Sequence, residues 1–282
     1  MVRKGTKFSI CLLFYGDYPE LAERCLSSLN SPLGCCENLK DIRIGLNGVS
    51  KTVENYIRKW GQHCCDKLKL PCLFYKNIGR SGHFHKYPLM RRMLLDDSYE
   101  LPEFVMWFDD DSFLGAECDT DWWRTLEQCL GGVDMIGQFW FSDLSCNQVN
   151  WVRHQTWAKS GRPFRNFGVF CTGGWWVMRS RVCLDYNWPC PELRHNGGDV
   201  MLGELFYYRA LQMRSFDQNV SINRAARRGA SEAPLGSDFV SGKELSCSHQ
   251  CIEVVRTGYN VSEAAQKIEM IAEESVNVLE LK

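Results

Sequence analysis

The chain predicts an α/β protein with a mixed, mostly parallel central sheet flanked by helices. Short apolar runs of strand length recur at residues 7–14, 41–46, 71–75 and 104–108. Stretches with helical spacing of apolar residues separate the early ones, and strands that alternate with helices pair in parallel across one sheet. At 282 residues the chain can bury one full core. It is read as one domain over residues 1–245 and an extension over residues 246–282.

Residues 7–14 read as a buried strand. Residues 18–29 follow as a helix, with Leu21, Cys25, Leu26 and Leu29 on one face. Residues 41–46 give a second strand and residues 50–60 a second helix, for which the Ser50 hydroxyl is a suitable cap. Residues 71–75 are the third strand, and Phe104-Val105-Met106-Trp107-Phe108 is the fourth. A helix over 121–130 and a strand over 133–141 come next, while 142–168 is too irregular for either. Residues 169–178 are extended around Gly173-Gly174, residues 199–213 are helical, and residues 223–238 read as a loop rich in Arg, Ala, Gly and Ser. Residues 262–281 close the chain with an amphipathic helix whose stripe includes Ala265, Ile268, Ile271, Ala272, Val276 and Leu279. It is expected to pack on the sheet domain.

With 33 basic against 34 acidic residues, the chain is not a protein that binds nucleic acid through its whole surface. The basic residues are nevertheless blocked. Residues 73–95 hold five Lys or Arg and no acid, and residues 144–184 hold six and no acid. No N-terminal apolar run has the length of a signal peptide, so the 15 cysteines are expected as reduced thiols in a cytoplasm. Adjacent cysteines such as Cys35-Cys36 and Cys64-Cys65 lack the usual zinc-ligand spacing.

The informative motif is Asp109-Asp110-Asp111 at the end of the fourth apolar run. A strand delivers these carboxylates to its carboxyl end, where open α/β sheets place their ligands. Side chains alternate along a strand, so Asp109 and Asp111 are expected on one side and Asp110 on the other. Hard oxygen ligands of this kind suit Mg²⁺ or Mn²⁺, which keep positions open for substrate phosphate oxygens. A solvated acidic turn is the alternative. Residues 77–86, Asn-Ile-Gly-Arg-Ser-Gly-His-Phe-His-Lys, form a loop after the third strand that suits phosphate. Arg80 and Lys86 can approach a diphosphate, and the glycines let backbone come close.

These segments resemble the GT-A class of nucleotide-sugar glycosyltransferases from about residue 7 to 213, with an Asp-x-Asp motif after a central strand. Within that class, residues 14–21, His85-Lys86-Tyr87-Pro88 and the Gly-Gly-Asp segment at 197–199 look like the phage TET-associated enzymes that act on 5-hydroxymethylcytosine in DNA. The resemblance implies a UDP-sugar donor, a Mn²⁺ or Mg²⁺ ion and a phage protein working in the host cytoplasm. It assigns the metal to Asp109 and Asp111, chiefly Asp111, with Asp110 on the sugar or supporting the turn. The nucleotide is expected near Tyr15, Asp17 and Asn47. Asp199, opening a helix after Gly197-Gly198, takes the part of the base in an inverting transfer; capping that helix is its plainer role. Gly173, Gly174 and Trp176 (or Trp175) correspond to the segment lining the sugar and acceptor pocket. His249, in Cys247-Ser248-His249-Gln250-Cys251, corresponds to a C-terminal metal ligand.

The acceptor is read from cations interleaved with aromatics. Trp151, Arg153, His154, Trp157, Lys159, Arg162, Arg165 and Phe167 fit DNA, in which a target base must leave the stack before its substituent can react. A saccharide or protein acceptor is the rival, favoured by the balanced charge. A haloacid-dehalogenase phosphatase is disfavoured by Phe113, and a non-catalytic DNA-binding module leaves the acidic motifs unexplained.

Overall fold

The computed structural model describes residues 7–16, 18–77, 86–95, 100–144, 146–159, 161–191, 193, 198–216, 218–222 and 276–280. Strand β1 (Phe8–Tyr15) is buried along its whole length, as an apolar run at the centre of a two-sided sheet must be. It is followed by α1 (Pro19–Leu29), α2 (Pro32–Cys35), β2 (Leu39–Asn47), α3 (Lys51–Leu68), β3 (Cys72–Asn77), α4 (Lys86–Leu95), β4 (Phe104–Asp109) and β5 (Ser112–Leu114). Then come α5 (Thr120–Cys129), β6 (Met135–Asp143), α6 (Cys146–His154), a 3₁₀ turn (Thr156–Ala158), β7 (Phe167–Arg179), α7 (Ser180–Tyr186), α8 (Gly198–Arg209), β8 (Met213–Ser215), β9 (Val220–Ile222) and β10 (Val276–Glu280).

The main sheet runs β10-β3-β2-β1-β4-β7-β6-β8. The pairs β1–β2, β1–β4 and β2–β3 are parallel, while β7 runs antiparallel to both β4 and β6. This is the expected mixed, mostly parallel architecture. One core layer, holding α1, α3 and α5, includes Ile10, Leu12, Ile57, Met106 and Trp175. The other, under α4 and α8, includes Leu13, Leu89, Trp107, Trp176 and Phe206. A buried ion pair stiffens β2. The Arg43 guanidinium donates to both Asp41 oxygens at 3.1 and 3.2 Å and to the Met93 carbonyl at 2.7 Å, tying β2 to α4. Among the described residues no helix is long and apolar enough to cross a membrane.

Several elements differ from expectation. Helix α3 runs on to Leu68, because Gly61 is a contact point rather than a stop: a Cβ there would lie 2.8 Å from the Phe74 ring. The irregular stretch 142–168 contains α6, whose Trp151 and Val152 are buried. At the C-terminus, residues 276–280 are not helical. They pair antiparallel with β3 as the edge strand, satisfying backbone groups that an open edge leaves bare. The loop at 223–238 and the rest of the proposed terminal helix lie outside the described residues.

Candidate active site

The site is built where β4 and β7 lie side by side. Antiparallel pairing sets Trp107 opposite Trp176 and Phe108 opposite Trp175, so the end of β4 falls beside Gly173-Gly174. The Trp107 indole N–H, two residues back on the same strand face, donates to Asp109 Oδ1 at 2.9 Å. Lys86, at the start of α4, donates to Asp109 Oδ2 at 2.6 Å and to the Gly173 carbonyl at 3.3 Å. A Cβ on Gly173 would lie 3.4 Å from Lys86 Nζ and 3.6 Å from Asp199 Oδ2. Asp109, Lys86, Gly173 and Asp199 thus surround one point at the carboxyl edge of the sheet. Asp109, Lys86 and Asp199 are each half-buried.

Asp199 opens α8, and its Oδ1 accepts from the Val200 N–H at 3.0 Å. Its other oxygen is turned toward Gly173. The helix can begin there because Gly198 lies flush on Tyr87, whose ring atoms would be 2.2–2.5 Å from any Cβ at that position. The sequence offered Lys86 as a phosphate contact but gave no role to its neighbour Tyr87. Its position one residue from Lys86 on an apolar helix face was the available signal.

The aspartates do not alternate as a continuous strand would. Strand β4 ends at Asp109, and Asp110 and Asp111 lie in the turn before β5. Asp110 is buried and its Oδ2 accepts the Tyr15 backbone N–H at 3.0 Å, so it supports the turn rather than meeting a sugar. Asp111 stays half-buried. Tyr15 and Asn47 are register partners at the ends of β1 and β2 and are both buried, forming the floor of that edge.

The glycine pair lies within continuous strand β7. A Cβ at Gly174 would come 2.7 Å from Ile222 Cγ2, so that glycine lets β9 close onto the sheet, and Ser112 Oγ donates to its carbonyl at 2.8 Å. Trp176 requires correction. Its ring is 2 % exposed and stacks on Trp107 at 5.8 Å with an interplanar angle of 10°, so it belongs to the core and not to a sugar pocket. Trp175 is buried as well.

The cationic stretch divides in the same way. Trp151 and Trp157 pack on each other inside the protein, 5.9 Å between centroids, so neither can stack on a base. Arg165 is committed to the buried Glu204, donating to Oε1 from Nε and Nη2 at 3.0 and 2.7 Å, and lies 3.9 Å over the Tyr207 ring. Burial pushes the Glu204 carboxyl above its ordinary pKa while Arg165 pulls it down. Arg153, Lys159 and Arg162 are exposed. Asp17, Arg80 and His249 lie outside the described residues.

A divalent ion fits this edge in part. Among the described residues no three His, Cys, Asp or Glu side chains gather as a ready cage. Trp107 and Lys86 hold both Asp109 oxygens, Asp111 is half-buried in the turn beside it, and the third expected ligand, His249, lies outside the described residues, so the ion would need donor phosphate oxygens as well, as Mg²⁺ commonly does.

No model of a protein family matches the chain, and no protein of curated function matches it. Among solved structures it is similar to the mannosyltransferase PcManGT from Pyrobaculum calidifontis in complex with GDP-Man and Mn²⁺, with a TM-score of 0.49 and 12 % identity over 95 % of this chain and 70 % of that one. S. aureus TarS, residues 1–349, gives 0.46 and 10 % over 94 % and 70 %. The 4-diphosphocytidyl-2C-methyl-D-erythritolsynthase from Anaerococcus prevotii DSM 20548 gives 0.43 and 9 % over 75 % and 89 %. With TM-scores below 0.5, none of these likenesses bears on what this chain does.

Proposed function

We propose that the chain is a metal-dependent, inverting glycosyltransferase that moves a sugar from a UDP-sugar to the hydroxymethyl group of 5-hydroxymethylcytosine in DNA. The observation that carries the reading is the convergence of Asp109, Lys86, Gly173 and Asp199 at the carboxyl edge of a mixed sheet. The reaction is a single displacement. The acceptor hydroxyl oxygen bonds to the anomeric carbon, the bond from that carbon to the phosphate oxygen breaks, and the hydroxyl proton passes to Asp199. Gly173 sets bare backbone beside Lys86 and Asp199, and Lys86, held by Asp109, supplies positive charge toward the leaving diphosphate. A Mn²⁺ or Mg²⁺ ion on Asp111 would neutralise the same diphosphate.

The DNA acceptor is supported by the resemblance of the Gly-Gly-Asp and His-Lys-Tyr-Pro segments and by the exposed Arg153, Lys159 and Arg162. A saccharide or protein hydroxyl is the second reading, favoured by the near-neutral total charge. Nucleoside mass spectrometry after incubation of 5-hydroxymethylcytosine DNA with protein, Mn²⁺ and mixed UDP-sugars separates them. A sugar mass increment is expected. UDP release without an increment would move the acceptor to the second reading, and no UDP at all would remove the enzyme. Asp111→Ala and Asp199→Asn are each expected to lose transfer by at least about 100-fold while keeping the wild-type circular dichroism. Wild-type turnover in either variant would remove that residue from its role.

A further inference from the structure

Strands β6 and β7 continue past the site as a two-stranded ribbon, residues 139–143 against 167–171. Strand β8 pairs only with Met135–Gly137, so among the described residues the outer edge of β6 is open beyond that point. On the ribbon Trp140, Phe141 and Phe167 are 48 %, 66 % and 42 % exposed. Their rings touch in sequence. Trp140 and Phe141 are 6.3 Å apart at 22°, and Phe141 and Phe167 are 5.8 Å apart at 37°. A contiguous apolar run on a surface marks a partner.

Two facts favour a polynucleotide as that partner. The first is continuity. Strand β7 carries Phe167 at its outer end and Gly173 at the site, a span of about 20 Å at the usual strand rise. That is roughly six steps of a stacked nucleic-acid strand. The second is charge. Residues 144–184 hold six Arg or Lys and no acid. Arg153, Lys159 and Arg162 are exposed, and among the described residues none of them pairs with a carboxylate, although Arg162 donates to the Tyr207 carbonyl at 2.6 Å and lies 5.1 Å over the Tyr207 ring. Arg153 lies 5.2 Å over the exposed Phe164 ring. The ribbon does expose one acid, Asp143, at its tip.

We propose that the ribbon is a stacking ledge for DNA, taking bases that flank the acceptor nucleotide on Trp140, Phe141 and Phe167, with Arg153, Lys159 and Arg162 serving phosphates. It rests on the DNA reading above and supplies the stacking surface that the buried Trp151 and Trp157 do not. Stacking on aromatics tolerates any base, since every base has a π-face. A neutral saccharide would use the rings and leave the cations without purpose.

The test titrates the full-length protein into a fluorescent oligonucleotide containing 5-hydroxymethylcytosine and reads anisotropy at several salt concentrations. Trp140→Ala and Phe141→Ala are each expected to weaken binding about tenfold. Trp140→Phe keeps most of the affinity, and Leu184→Ala, exposed on α7, binds as wild type. Arg153→Ala lowers the salt slope by about one. UDP release from the donor without acceptor is unchanged throughout. Alanine variants that bind as tightly as wild type overturn the ledge, and so does a wild-type protein that binds no oligonucleotide. A change in the mass of the alanine variants by light scattering, with binding unchanged, makes the patch a protein contact and also overturns it. UDP release separates the two proposals. Its presence without oligonucleotide affinity removes only the ledge, and its absence in wild type even with 5-hydroxymethylcytosine DNA present removes the glycosyltransferase.

Discussion

Asp109 gives its two oxygens to Trp107 and Lys86, whereas Asp110, one residue on, is buried and accepts the Tyr15 backbone N–H, so adjacent identical residues acquire different chemistry from what reaches them. The triplet was legible as an acidic motif at a strand end. Asp110 was offered either to the sugar or to the turn, and that choice was not legible, because it depends on β1 ending beside it. Thiols divide in the same manner. A hydrogen bond from Cys72 holds the Cys65 thiol down at about 7 although burial opposes it, while the same contact and burial push Cys72 well up. A lowered thiol pKa places the reactive thiolate above that value, so alkylation of Cys65 by iodoacetamide is expected to rise through a midpoint near pH 7. Peptide mass spectrometry across a pH series should find Cys65 modified before Cys64 and Cys72. Cys72→Ala should move the midpoint upward; an unchanged midpoint would deny the hydrogen bond its role.

At the scale of elements, strands were read from the sequence more closely than helices. The runs at 7–14, 41–46 and 104–108 became β1, β2 and β4 with ends shifted by a residue or two, since a strand buried on both faces announces itself by unbroken apolarity. Helix α6 has no such signature. It was missed because Trp151 and Val152 are its main buried groups in an otherwise polar stretch. Docking of α8 on α4 depends on one absent side chain, that of Gly198. Overpacking of this kind costs about 1–3 kcal/mol. Gly198→Ala is therefore expected to lower unfolding free energy by that amount in urea melts, and to lower turnover further by displacing Asp199. Gly34→Ala, where a Cβ would meet nothing within 4 Å, is the matched control and should change stability little. Equal melts for the two variants would contradict the close contact with Tyr87.

For the whole molecule, the proposed donor and ion sit across elements from both halves of the sheet, so their binding is linked to folding. A ligand present at about 100 times its Kd stabilises the native state by about 2.7 kcal/mol. UDP with Mn²⁺ is thus expected to raise the Tm of the wild type by several degrees in differential scanning fluorimetry. EDTA should abolish the rise, and Asp111→Ala should show little of it. A rise by UDP that persists in EDTA would detach nucleotide binding from the metal.

The class of fold and the inventory of reactive groups follow from the order and character of the residues. Apolar periodicity decides which segments bury both faces, and the order of strands and helices decides a mainly parallel sheet. Which groups meet depends on how the elements pack. Asp109, Lys86, Gly173 and Asp199 are far apart along the chain and are joined by the antiparallel register of β4 with β7 and by the seating of α8 on Tyr87. The same packing turned Trp151 and Trp176 inward and left Trp140 and Phe141 outside, because sequence pattern records that a residue is apolar but not what will be standing next to it.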